Sequence, residues 1–227
     1  MKTTRTTPSP TATVPSQRVS AAWAWWGVPA AITGLAGNFI STHGALSEAD
    51  ATQAADAVSR TSYHVGTVLG LTSFACLVLA SAGWRRWGSG RGLAQQAVSV
   101  ALAVTATLVL FATGLRGALA EYLPGGINAD NFDDAGLYAL FIVHDTAPWT
   151  AWWGVLMMAA VVAFISLAGQ GFSRWLGVLS VAALAMPIAV MAGSGALAGA
   201  GFVGPIWLAI FSVIVALRGV SSRSDGH

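Results

Sequence analysis

Charge is what this chain has least of. Of its 227 residues only 9% are Asp, Glu, Lys or Arg, where a soluble domain carries roughly 25%, and 55% are hydrophobic. A soluble core of that composition is excluded, and lipid becomes the main solvent. The net charge of +2 comes from arginines at the ends of apolar stretches, with no basic patch interleaved with aromatics, so nucleic acid is excluded as a partner. Lys2 is the only lysine and lies in the N-terminal tail, so no span offers the Schiff base of a retinal protein. Cys76 is the only cysteine and sits within an apolar segment, which rules out an internal disulfide and any CxxC pair. There is no P-loop, no TVGYG filter and no ladder of voltage-sensing arginines. The first 20 residues are rich in Thr, Ser and Pro and lack an apolar core, so they read as a disordered cytoplasmic tail rather than a cleaved signal peptide.

What is present is a series of long apolar stretches separated by charges of alternating sign. Crossing a hydrocarbon core takes about 20 helical residues. On that scale the chain is expected to be an all-α polytopic bundle of six spans within residues 21–219, at about 23–46, 62–84, 95–119, 146–168, 174–192 and 202–218. The acidic stretch 131–143 reads as an interfacial helix before the fourth span, with Pro148 in the first turn of that span. A single kinked helix is the competing reading. Nine of the eleven basic residues fall on one side, with only Arg60 and Arg116 opposite, which makes both termini cytoplasmic, including the 220–227 tail. Trp23, Trp25, Trp26, Trp84, Trp87 and Trp175 would then mark the inner boundary and Trp149, Trp152 and Trp153 the outer one. Ser47-x-x-Asp50 resembles a capping box for a short helix in the first outer loop.

Gly66-x-x-x-Gly70 is a ridge that lets helices, or two copies of the chain, approach closely. The glycines between Gly193 and Gly204 follow no strand and precede no lysine, so they read as a tight turn and not a phosphate loop. The word Ala24-Trp25-Trp26-Gly27-Val28 recurs as Ala151-Trp152-Trp153-Gly154-Val155, and Leu115-Arg116-Gly117 recurs as Leu217-Arg218-Gly219. Copies three spans apart would face opposite ways, the pattern of an inverted repeat, although apolar spans drawing on few residue types also repeat short words by chance.

With this topology His43, His64 and His144 gather near the outer interface with Arg116, Glu121, Tyr122 and Asp145, while no histidine lies near the inner face. Two haems stacked across the bilayer are thereby excluded, and one outer haem is not. Ionisable groups beside a bilayer core are costly unless paired or functional. His43, His64 and His144 are therefore candidate ligands for a single transition metal, zinc, iron or copper. Asp145, Glu121 and Arg116 are the candidate catalytic groups, with a carboxylic acid in an apolar pocket able to hold and donate a proton. The plainer account has Asp145 or Thr146 capping the fourth span, His144 against the preceding helix end, and Arg116 snorkelling outwards. Asn38, a deeper buried amide, needs a partner across helices.

Arg174-Trp175-Leu176-Gly177, then Gly204-Pro205-Ile206-Trp207 and the closing Leu217-Arg218, resemble a group of small bacterial multi-pass membrane proteins grouped as a domain of unknown function. The resemblance covers roughly a quarter of the chain and implies no mechanism. Ala- and Gly-rich spans that use Arg in place of Lys point to a high-GC bacterium and its plasma membrane. Three functions fit: an outer-face site that binds a metal or transforms an apolar small molecule, a small secondary transporter of two inverted three-helix halves with Asn38 on its path, and a non-catalytic membrane subunit or immunity-type protein.

Overall fold

The computed structural model describes residues 18–19, 21–41, 59–169, 172–197 and 199–221. Among them seven α-helices follow a 3-10 turn at Ala22–Trp26: α1 (Gly27–Ser41), α2 (Arg60–Gly88), α3 (Leu93–Tyr122), α4 (Asp134–Thr150), α5 (Trp153–Leu167), α6 (Arg174–Ser194) and α7 (Gly199–Arg218). Their ends follow local chemistry. Ser59 accepts from the Ser62 N–H at 3.4 Å to open α2, and Asp133 Oδ1 accepts from the Gly136 N–H at 2.8 Å to open α4. Gly195, at φ 72°, closes α6 in the left-handed conformation with its N–H bonded to the Met191 carbonyl.

Five helical segments are long and apolar enough to cross a membrane: α2, α3, α4 with α5 (Asp134–Leu167), α6 and α7. The described part of α1 has 15 residues, short of a full crossing. The expected capping box at Ser47 and the segment around His43 lie outside the described residues.

The acidic stretch does not form a separate helix ending at Val143. α4 runs on to Thr150, and the interruption comes at Ala151–Trp152 before α5 begins. The reason is that Thr146 does not cap: its hydroxyl turns back to the Val143 carbonyl at 3.4 Å, as that of Thr150 does to Ala147 at 3.1 Å. Pro148 sits inside α4, where its missing N–H leaves the His144 carbonyl without the usual helical donor, and the helix breaks three residues later. The Trp152 carbonyl starts α5 by accepting from Val155 at 3.0 Å.

α2 packs along α3 and α1; α1 also packs on α7; α5 packs on α6 and α3, and α4 bridges α3 and α7. Arg18–Val19 pairs antiparallel with Val220–Ser221, Arg18 opposite Ser221, so the first and last described segments meet at one end of the bundle. That end is filled by aromatic rings: Trp84 stacks on Phe211 at 5.3 Å, Phe211 on Trp207 at 4.8 Å, and Trp23 meets Trp84 edge-on at 4.7 Å. A smaller cluster of Tyr63, Leu119, Leu123 and Phe141 closes the opposite end. Trp152 departs from the expected boundary ring, being fully buried against Gly34 of α1 and Gly204 of α7. The outward faces carry Ile32, Val68, Val104, Phe164 and Val178, the surface a bilayer solvates.

Candidate functional site

Small residues on facing helices bring backbones close enough for a charged side chain to reach across three of them. Gly37 on α1 and Gly66 on α2 abut, a Cβ on either falling 3.3 Å from the carbonyl oxygen of the other. Into this junction α3 projects Arg116, which is only 2% exposed. Its Nη1 donates to the Gly66 carbonyl at 3.0 Å, its Nη2 to Asn38 Oδ1 at 3.1 Å, and its Nε to His144 Nε2 at a long 3.4 Å. Asn38 Nδ2 in turn donates to the Pro148 carbonyl at 3.3 Å. One guanidinium thus ties α1, α2, α3 and α4 together.

Three of the five guanidinium N–H bonds are used, all on neutral acceptors, and among the described residues no carboxylate pairs with the charge. A charge held this way in a low-dielectric interior is costly, which is why such residues in membrane bundles are retained for function. Accepting a hydrogen bond at Nε2 fixes His144 as the tautomer protonated at Nδ1. That Nδ1 and the hydroxyl of the fully buried Tyr63 have no hydrogen-bond partner among the described residues, and the two rings lie 5.1 Å apart. Beside the guanidinium is a cavity of about 10 Å³, bordered by Asn38, Thr113, Arg116, Pro148, Ala151 and Trp152, the size for one water. Pro148 near the end of α4 and Ala151 and Trp152 of the interruption border the same cavity, so the break between α4 and α5 lies beside the guanidinium.

The structure brings together only part of the set expected from sequence. Arg116, His144 and Asn38 converge. His64 is exposed, one residue round the helix from inward-facing Tyr63, and Asp145 is likewise exposed next to buried His144. Glu121 is exposed and accepts from Asn128 Nδ2 at 3.4 Å, Tyr122 packs edge-on against Phe132 at 4.6 Å, and His43 lies outside the described residues. Arg116 does not snorkel to the surface, because Gly66 and Asn38 hold it inward. Among the described residues no three His, Cys, Asp or Glu side chains gather as a metal would require.

Tyr63 is the member that sequence reasoning missed. The signal was there: it shares the α2 face of the Gly66–Gly70 ridge, three and seven residues on, and that ridge marks the inward side.

Searches against protein-family models, curated proteins and solved structures find no match to this chain.

Proposed function

We propose that the protein is a multi-pass plasma-membrane transporter, both termini in the cytoplasm, that admits a small oxyanion from the outer side to Arg116. The carrying observation is the buried guanidinium, two of its N–H bonds unspent among the described residues, at the same small cavity as the break between α4 and α5. A guanidinium fork fits a carboxylate in bidentate fashion, and half-helix N-termini at bilayer depth suit the same charge. A space for one water admits no solute as it stands, so binding requires α4 and α5 to swing at the Ala151–Trp152 break. Because Arg116 holds α1, α2 and α4 at once, an anion competing for its N–H bonds acts on all three helices together.

The internal echo supports the same reading. A Cβ on Gly27 would collide with Ser212 Oγ of α7, and one on Gly154 with Thr105 Oγ1 of α3. Each echoed glycine therefore receives a hydroxyl from the last helix of the other half, as two three-helix halves related by a pseudo-twofold require. α1 against α2 and α7, and α5 against α6 and α3, repeat that exchange.

The test is flux in reconstituted vesicles. Wild-type protein should carry at least one small monocarboxylate down an imposed gradient, and Arg116→Met should abolish the flux while remaining inserted. Flux unchanged by that substitution, or no movement of any monocarboxylate, phosphate or sulfate, sinks the proposal.

A further inference from the structure

A second polar site lies at the other end of the bundle, on the hairpin of α2 and α3. A groove of about 430 Å³ is lined by Ser81, Arg85 and Ser89 from α2 and its turn, and by Gln96, Ser99, Val100 and Ala103 from α3. Its floor is held by its own hydrogen bonds: Ser81 Oγ donates to the Ser99 carbonyl at 2.9 Å and Ser99 Oγ to the Gln96 carbonyl at 2.9 Å. Arg85, exposed at its rim, makes no hydrogen bond or ion pair with the described residues. Arg91, by contrast, covers the Trp87 ring at 4.5 Å. The electrostatics are one-sided. Between Arg60 and Glu121 the chain contains no acidic residue, so Arg85 and Arg86 have no countercharge within the hairpin. The groove also has a polarity gradient, from Arg85, Ser89 and Gln96 at the turn to Val100 and Ala103, both exposed, further along α3.

We infer that this groove holds an anionic glycerophospholipid of the adjacent leaflet. Its phosphodiester lies against Arg85 with Ser89 and Gln96 as neutral donors, and an acyl chain runs along Val100 and Ala103. Basic pockets between helices at the membrane boundary recognise anionic headgroups in this way, and a groove of this volume suits a headgroup rather than a single ion. A soluble phosphate would meet the same donors without using the apolar half. The inference depends on the chain crossing a bilayer but not on Arg116 carrying a solute.

The test reconstitutes the full chain in nanodiscs of phosphatidylcholine with a trace of phosphatidylglycerol, and native mass spectrometry counts the retained lipid. Wild type should keep phosphatidylglycerol in preference to phosphatidylcholine. Arg85→Gln should lower that preference about fivefold, the worth of roughly one basic residue at a lipid surface. Val100→Glu, which leaves Arg85 intact but puts an acid on the acyl path, should lower it as well. Arg174→Gln, away from the groove, should not. Insertion without lipid preference, equal loss with Arg174→Gln, or displacement by inorganic phosphate as effective as by the lipid would each overturn the inference. Insertion is scored for each variant before lipid is counted, so failure here is separable from failure of the membrane reading.

Discussion

Arg116 and Asn38, 78 residues apart in the chain, are joined by an Nη2–H···Oδ1 hydrogen bond of 3.1 Å inside the bundle. The same amide passes the connection to the Pro148 carbonyl, so a charge on α3 is mechanically linked to the helix that breaks at Trp152. Neither end of that relay touches water-exposed surface, since Asn38 is 4% and Arg116 2% exposed.

Removing the charge should cost stability as well as flux. Arg116→Met takes one N–H donor from each of the Gly66 carbonyl, Asn38 Oδ1 and His144 Nε2, a loss of about 2–4 kcal/mol for buried hydrogen bonds from a charged group. Arg116→Lys should recover the charge but satisfy fewer than three acceptors, and fall between the two. Denaturant unfolding in detergent micelles reports the order.

Two glycines four dozen residues apart should respond oppositely to a methyl group. A Cβ on Gly66 would stand 2.7 Å from Arg116 Cδ, so Gly66→Ala should destabilise by roughly 1–3 kcal/mol through overpacking and displace the guanidinium. Gly114 on α3 has open space where its Cβ would go, so Gly114→Ala should be neutral or stabilise by up to about 1 kcal/mol. Thermal midpoints of both variants, measured side by side, check the contrast.

The histidines separate in the same manner. His144→Ala removes a buried ring that accepts from Arg116 and should cost about 2–4 kcal/mol, whereas His64→Ala, on the exposed face, should change stability by less than about 0.5 kcal/mol. Metal analysis of wild type and both variants accompanies this. A near-stoichiometric zinc, iron or copper content that vanishes in His64→Ala would establish the metal site expected from sequence.

Pro148→Ala returns an N–H for the His144 carbonyl and should extend α4 through the break. The expected outcome is equal or greater thermal stability with reduced flux, and slower amide exchange at Trp152. Unimpaired flux in this variant would detach the break from transport.

The helices were legible because apolar length alone specifies them, and Arg116, Asn38 and His144 stood out as polar residues in costly places. Their convergence was not legible, because it depends on which face of each helix turns inward. Once Gly66 and Gly70 define that face on α2, Tyr63 goes in and His64 goes out, one step of about 100° away. That the kink of this long apolar segment falls at Ala151–Trp152, and not near Val143, was not legible for a different reason. Asp145 and Thr146 look like a cap on composition, but caps are made by hydroxyl direction, and Thr146 points backwards.

The short pairing of Arg18–Val19 with Val220–Ser221 fastens the two extremities of the fold like a buckle. Rearrangement is therefore cheapest away from it. Under the proposed transport reading, the pairing holds that end closed while α4 and α5 swing at Ala151–Trp152, so the bundle opens at the far end, where Tyr63, His144 and Arg116 sit.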